Sequence, residues 1–311
     1  MGGFRLSAAD VDLSIVIVCY DMAREIPRTV ESFLPPLQLG ARDVSYEIVI
    51  LDNGSPTPVD WKTIPRAENV DVRVIRIESA KSSPVFALND CVARHVRSEN
   101  VMICIDGARM ASAGIVVRAI ENMQRDPHSC VYVSSRHLGP DLQFRSCMEG
   151  YNQRTEDDLL AACDWQSDLD NLYGSSVWAG AVLDGRYSAI NESNAITMSR
   201  ETYAQIGGFD ERFDIRGGGF CNLEFFSRAM ARPAANNIIL YGEATFHQYH
   251  GGASTAEGHG AYIRVAKENY QSVMGKSYER PEYNFIVDTG EQYDRKLKVG
   301  QYFAVDAFAA G

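Results

Sequence analysis

A mostly parallel α/β sheet, covered by helices on both faces, is the fold class this sequence predicts. Three observations carry the prediction. Leu13-Ser-Ile-Val-Ile-Val-Cys19, Tyr46-Glu-Ile-Val-Ile-Leu51 and Val101-Met-Ile-Cys-Ile105 are apolar, largely β-branched runs of strand length, as strands buried on both faces must be. The stretches between them carry apolar residues three and four apart, the spacing of helices that lie on such a sheet. Each run also leads straight to an acid: Asp21, Asp52 and Asp106. Ligands of an open α/β sheet bind just beyond the carboxyl ends of its strands, which is where these acids fall.

In chain order, the first strand is followed by a helix from about Glu25 to Leu34, with Pro27 tolerated in its first turn. A strand fits Val72–Ile77. Ser82-Ser-Pro84 then opens a helix whose apolar face is Leu88, Cys91, Val92 and Val96. After the Val101 strand, Ser112 is placed to cap a helix through Ile115, Ala119, Ile120 and Met123. Cys130–Ser134 closes this first half.

From Gly139 to Ile190 the rhythm stops. Asp157, Asp158, Asp164, Asp168 and Asp170 alternate with Tyr151, Trp165, Tyr173, Trp178 and Tyr187. The reading is a long irregular stretch, whose aromatics serve either as faces for sugar rings or as plain core anchors. Gly217-Gly-Gly-Phe-Cys221-Asn-Leu-Glu224 follows, with Asn222 placed to cap a helix carrying Glu224 and Arg228 one turn apart. That pair is either a surface ion pair or part of an acceptor site.

Asn237–Tyr241 reads as a short strand, and Phe246-His-Gln-Tyr-His-Gly-Gly252 comes after it. In an extended strand two histidines three apart point to opposite faces, so His247 and His250 meet only if the chain turns between them. The tail from Ala261 to Met274 has helical spacing and is expected to pack on the body or on a second subunit, and the apolar run 301–311 is expected to dock too. The expected divisions are 1–135, 136–255 and a helical extension at 256–311.

Composition narrows the function classes. The apolar fraction of 45% and charged fraction of 23% are those of a globular protein, and a net charge of −11 opposes a nucleic-acid surface. No apolar run approaches the ~20 residues of a membrane span. Seven cysteines, an odd number without a Cys-x-x-Cys pair, read as thiols rather than a disulfide framework. The chain is expected to be cytoplasmic, dissolved or peripheral to a membrane. The turn after Cys19 lacks Gly-x-Gly-x-x-Gly, which argues against a dinucleotide domain.

Ser14-Ile-Val-Ile-Val-Cys-Tyr20, Glu47-Ile-Val-Ile-Leu-Asp-Asn-Gly-Ser55, Ala87-Leu-Asn89, Ile105-Asp106 and Ile206-Gly-Gly-Phe-Asp-Glu-Arg-Phe213 resemble, in order, the signatures of family 2 glycosyltransferases of the GT-A fold. The resemblance implies transfer of a sugar from a UDP-, GDP- or dTDP-linked donor to a glycan, glycolipid or small-molecule acceptor. It implies nucleoside contacts from Asp21 and Asp52, a donor-site role for Asn89, and a divalent ion (Mn2+ or Mg2+) on Asp106. His247 matches the third metal-ligand position, with His250 as the alternative. Glu224 matches the acid that takes the acceptor's proton, although Cys221 and Asn222 depart from that segment's usual acids. Ala108 stands where the second acid of Asp-x-Asp belongs, so Arg109 offers a second way to grip a diphosphate. Two other readings stay open: a GT-A-shaped binding module without catalysis, and a sugar nucleotidyltransferase. The second needs a Gly-rich basic loop after the first strand, and Tyr20-Asp-Met-Ala-Arg24 does not supply one.

Overall fold

The computed structural model describes residues 11–78, 80–180, 189–233, 236–252 and 259–290. The apolar runs form strands where expected. The first half comprises β1 (Leu13–Cys19), α1 (Ile26–Ser32), β2 (Tyr46–Asp52), β3 (Val70–Arg76), α2 (Val85–Arg94), β4 (Asn100–Cys104), β5 (Arg109–Ala111), α3 (Ile115–Arg125) and β6 (Cys130–Leu138). The remainder adds α4 (Gln143–Met148), α5 (Gln153–Cys163), α6 (Asn171–Gly174), β7 (Ser176–Trp178), β8 (Ile196–Ser199), α7 (Arg200–Ile206), α8 (Cys221–Met230), β9 (Asn237–His247), α9 (His259–Met274) and β10 (Ile286–Asp288).

One sheet runs through the described residues in the order β10-β9-β6-β8-β4-β1-β2-β3, with β5 on β9 and β7 on β6. The β4-β1-β2-β3 half is parallel, β8 is antiparallel to both its neighbours, and β6, β9 and β10 run parallel to one another. Alternate residues of β1 and β2 feed two cores. Ile15, Ile17, Ile48 and Ile50 pack under α1 and α3, while Val16, Val18, Val49 and Leu51 pack under α2, α8 and α9. The ladder of β6 and β9 shifts register after Tyr132, where Gly242 of β9 adopts a φ of +80° that only glycine takes readily.

Several expectations are corrected. From Gly139 to residue 180 the segment is not irregular: α4, α5, α6 and β7 account for most of it. Asn152 accepts hydrogen bonds from the backbone N–H groups of Arg154 and Thr155 to start α5. Leu160, Trp165, Leu169, Leu172 and Tyr173 form a third core with Phe246, so Trp165 and Tyr173 are anchors, and Trp178 stacks 4.4 Å from the Arg136 guanidinium. Ser112 does not cap α3; its hydroxyl donates to Glu243 and accepts from the N–H of Ala244. Asn222 lies inside α8 and reaches Glu192 and the Ser193 carbonyl. β9 continues through His247 instead of ending at Tyr241. Tyr187 and 301–311 lie outside the described residues. No helix among the described residues is long and apolar enough to cross a membrane.

Candidate active site

The sheet order reverses at β1, since β2 lies on one side of it and β4 on the other. Such a switch point opens a crevice beyond the carboxyl ends of the two strands. Asp106 stands there, two residues past β4. The turn that presents it is tightly fitted. A Cβ on Gly107 would lie 2.6 Å from the Val18 carbonyl oxygen, so only glycine can pass so close to β1. The Thr29 hydroxyl donates to the Gly107 carbonyl at 2.7 Å, and the Ala108 N–H donates to Asp106 Oδ1 at 3.1 Å.

β5 and β6 flank the end of β9 and set out one rung of three side chains. Arg109 faces His247 across the antiparallel pair, and His137 faces His247 across the parallel pair. All three are buried. Arg109 Nε donates to Asp106 Oδ2 at 2.9 Å, and its Nη1 is buried with no hydrogen-bond partner among the described residues. His137 and His247 have ring centroids 5.4 Å apart. The Gln143 N–H donates to His137 Nδ1 at 2.8 Å, which leaves the proton of a neutral His137 on Nε2, so this ring is a donor and not a ligand.

Beyond His247 the chain turns and brings His250 back. His250 Nε2 lies 3.1 Å from His247 Nε2, and His247 Nε2 lies 3.0 Å from Asp106 Oδ2. The three donor atoms fall within 4.8 Å of one another. Bonds of ~2.1 Å to an octahedral cation put neighbouring donors ~3.0 Å apart, so these spacings suit one bound ion. Burial tends to push the Asp106 carboxyl up, but His247, Arg109 and His250 outweigh it and hold the group well below the usual carboxylate range. Burial first, and Arg109 second, push His247 down to about 3 against the pull of Asp106. At neutral pH the cluster is thus an ionised carboxylate beside a neutral His247, the forms that bind cations. The turn lies past the strand, so the His247 and His250 imidazoles meet beside Asp106.

The other expected residues occupy different places. Asp21 has a φ of +55°, its carboxylate is exposed, and its N–H donates to Ser55 Oγ at 2.9 Å. Asp52 is fully buried: Oδ1 accepts from the Ser55 N–H at 2.8 Å and Oδ2 from Arg76 Nη1 at 2.8 Å. Arg76, unnoticed in the sequence, sits directly opposite Asp52 in the β2–β3 register and is partly exposed. Asn89 spends its amide on structure. It donates to the Phe209 carbonyl at 2.9 Å and accepts from Tyr203 Oη at 2.6 Å and the Phe209 N–H at 3.0 Å.

Glu224 is buried, and both its oxygens accept from Arg228, at 2.5 and 2.7 Å. Arg228 in turn holds the Ile206 and Gly208 carbonyls. Through Arg228, Glu224 ties the Ile206–Gly208 turn to α8. It lines a cavity of about 450 Å³ with Asn89, Asp210, Arg212 and Arg228, and the lining includes none of Asp106, His247 and His250.

No protein-family model matches the chain, and no curated protein sequence matches it. Solved structures do. The Pyrobaculum calidifontis mannosyltransferase PcManGT, in complex with GDP-Man and Mn2+, aligns with a TM-score of 0.50 at 14% identity, covering 88% of this chain and 67% of that one. The fold is of the GT-A type. A fragment of S. aureus TarS (residues 1–349) aligns at 0.49 and 11% identity, over 83% of this chain and 65% of the fragment. GalNAc-T7 with UDP, GalNAc and Mn2+ aligns at 0.48 and 14%, over 84% of this chain and 50% of that one. The chain therefore spans 65% or less of the length of these last two. At such identities the likeness concerns the GT-A fold alone, and the site must be judged on its own atoms.

Proposed function

We propose that this chain transfers a sugar from a nucleoside-diphosphate donor to an acceptor hydroxyl, with a divalent cation at Asp106, His247 and His250. The observation that carries the reading is the convergence of those three donor atoms at the switch point of a GT-A sheet, beside a buried guanidinium with an unpartnered Nη1. PcManGT, which shares the fold, was solved with GDP-Man and Mn2+. The donor set replaces the acid missing at Ala108 with a second imidazole. Two nitrogens suit a first-row ion such as Mn2+ better than Mg2+, which prefers oxygen ligands and keeps its waters.

Departure of a nucleoside diphosphate develops negative charge on the β-phosphate, and stabilising that charge is the main task of such a site. A bound divalent ion supplies Lewis-acid stabilisation of those oxygens. Asp106, His247 and His250 would hold it. Arg109, fixed through Nε and with Nη1 unpartnered among the described residues, would supply a second positive charge for the same anion and cannot lose it. His137 stays neutral because burial, His247 and Arg109 all depress it, and it offers a further N–H. At the ends of β2 and β3, buried Asp52 orients Arg76, whose partly exposed guanidinium offers a donor to a base edge, and Asp21 is exposed for hydroxyls. We assign the nucleoside to these three. Sugar, acceptor and stereochemistry stay unassigned.

The test is isothermal titration of UDP, GDP and dTDP, each with and without Mn2+, followed by a transfer assay on the nucleotide that binds. Binding of one nucleotide should depend on Mn2+, and Asp106→Asn should lower turnover roughly a hundredfold. Absence of any nucleotide binding, with or without Mn2+, overturns the proposal.

A further inference from the structure

His250 belongs to no strand, and nothing local obliges it to return to within 3.1 Å of His247. The path of residues 248–250 is fixed from outside. The Gln248 N–H donates to the Ala108 carbonyl at 2.8 Å, and Gln248 Nε2 donates to Thr29 Oγ1 at 3.0 Å, which ties the first residue of the turn to α1 and to the Asp106 turn. The next peptide is held at both ends. The Tyr249 N–H donates to Glu156 Oε2 at 2.6 Å, and the Tyr249 carbonyl accepts from Arg24 Nη1 at 3.0 Å.

Glu156 is a strange residue to bury. It lies within α5, its side chain is 0% exposed, and a desolvated carboxylate is costly unless several donors meet it. Three do: the Tyr249 N–H, Tyr151 Oη at 3.2 Å and Arg24 Nη2 at 3.3 Å. Arg24 adds Glu25 at 2.7 Å and Asp157 at 2.9 Å, which keeps its fork in the orientation that reaches the Tyr249 carbonyl.

We propose that Glu156 and Arg24 are positioning residues that act through the Tyr249 peptide to hold His250 on the cation. This inference rests on the metal reading above and adds to it that the third ligand is set by α5 and by the loop after β1, neither of which offers a ligand. Partners that orient metal ligands without touching the ion typically contribute 10–100-fold to affinity.

The experiment is a double-mutant cycle on the full chain, read as affinity for Mn2+ alone by electron paramagnetic resonance of the unbound ion, and as the visible spectrum of the Co2+ form. Glu156→Ala and His250→Ala should each weaken Mn2+ about tenfold or more, and the double variant should bind no more weakly than His250→Ala. The Co2+ spectrum of Glu156→Ala should match that of His250→Ala. Arg24→Lys, which keeps the charge and loses the fork, should repeat the effect in a chain whose buried carboxylate is intact, and Glu156→Gln should restore part of the affinity. Wild-type affinity in Glu156→Ala and Arg24→Lys, or a double variant weaker than His250→Ala by the full Glu156→Ala factor, overturns the clamp while leaving the metal reading standing. A wild-type chain that binds no Mn2+ overturns both.

Discussion

At the scale of single residues, the same spacing serves two different chemistries. Glu224 and Arg228, four apart on a helix, look alike whether the acid faces an acceptor or a guanidinium. The structure spends Glu224 on Arg228, which ties the Ile206–Gly208 turn to α8. Glu224→Gln should therefore act on stability: it leaves a partly buried guanidinium with a neutral partner and costs about 1–3 kcal/mol. The measurement is the urea midpoint, alongside transfer per folded molecule, which should stay within about twofold. A large fall in transfer at unchanged stability would instead give Glu224 the base role. His250 shows the opposite difficulty. Its place beside His247 depends on Arg24 and Glu156, residues more than ninety positions away in the chain, so nothing within the motif could have signalled it.

At the scale of elements, what was legible followed burial on two faces. β1, β2 and β4 are apolar at nearly every position because helices cover both sides, and such runs announce themselves. α5 did not, for a physical reason: its only buried residues are Glu156 and Leu160, and one of them is an acid. A helix that turns a carboxylate inward has no apolar stripe to read. The edge of the sheet shows how acids hold elements in place. Arg118 of α3 donates to Glu243 of β9 at 2.9 Å and meets Asp288 of β10 at 3.3 Å, while Asn122 donates to Asp288 at 2.8 Å. Burial would raise the Asp288 carboxyl; Arg118, Asn122 and the Gly290 N–H overcome it and lower the pKa below the ordinary value. A depressed folded-state pKa stabilises above the unfolded value of 3.8 and is lost as pH falls through the folded one. Asp288→Asn should thus cost about 1–3 kcal/mol at neutral pH. The gap to wild type should narrow once pH falls below about 4, as followed by urea unfolding across an acid series.

At the scale of the whole molecule, the candidate ligands come from both ends of the fold: Asp106 from the parallel half, His247 from the end of β9 and His250 from the turn after it. An ion bound to all three bridges those halves and favours only the folded state. At a hundredfold excess over its dissociation constant it should add about 2.7 kcal/mol, raising the melting temperature of a chain this size by about 4 °C. Scanning calorimetry with Mn2+ should show one transition moving upward in wild type and unmoved in Asp106→Asn. A first-half transition shifting alone would mean the ion does not span the halves. That Asp106 would stand just past the end of a buried strand was legible in the sequence, because a charge that follows such an apolar run marks where burial on both faces ends. Arg76 was not, since its place opposite Asp52 emerges only when β2 and β3 pair in register.

The irregularity in β9 has a consequence for how this chain's length can drift. Between the Ile239–Tyr132 and Ala244–Ser134 rungs, β6 advances by two residues and β9 by five, so β9 carries three residues in excess and Leu240–Glu243 form an excursion that keeps no ladder with β6. Before it β9 pairs with β10 on its other side, and after it with β5. In a regular strand, each residue gained or lost upstream would turn His247 to the opposite face. Here the two stretches keep their own ladders, and a change in length between them is taken up by the excursion. A change of length around Gly242 therefore leaves the facing of the histidine intact, but it disturbs the bonds that hold Tyr241, Gly242 and Glu243 to Arg118 and Tyr173. An insertion or deletion there should cost stability, whereas one between Ala244 and His247 should cost the histidine its place.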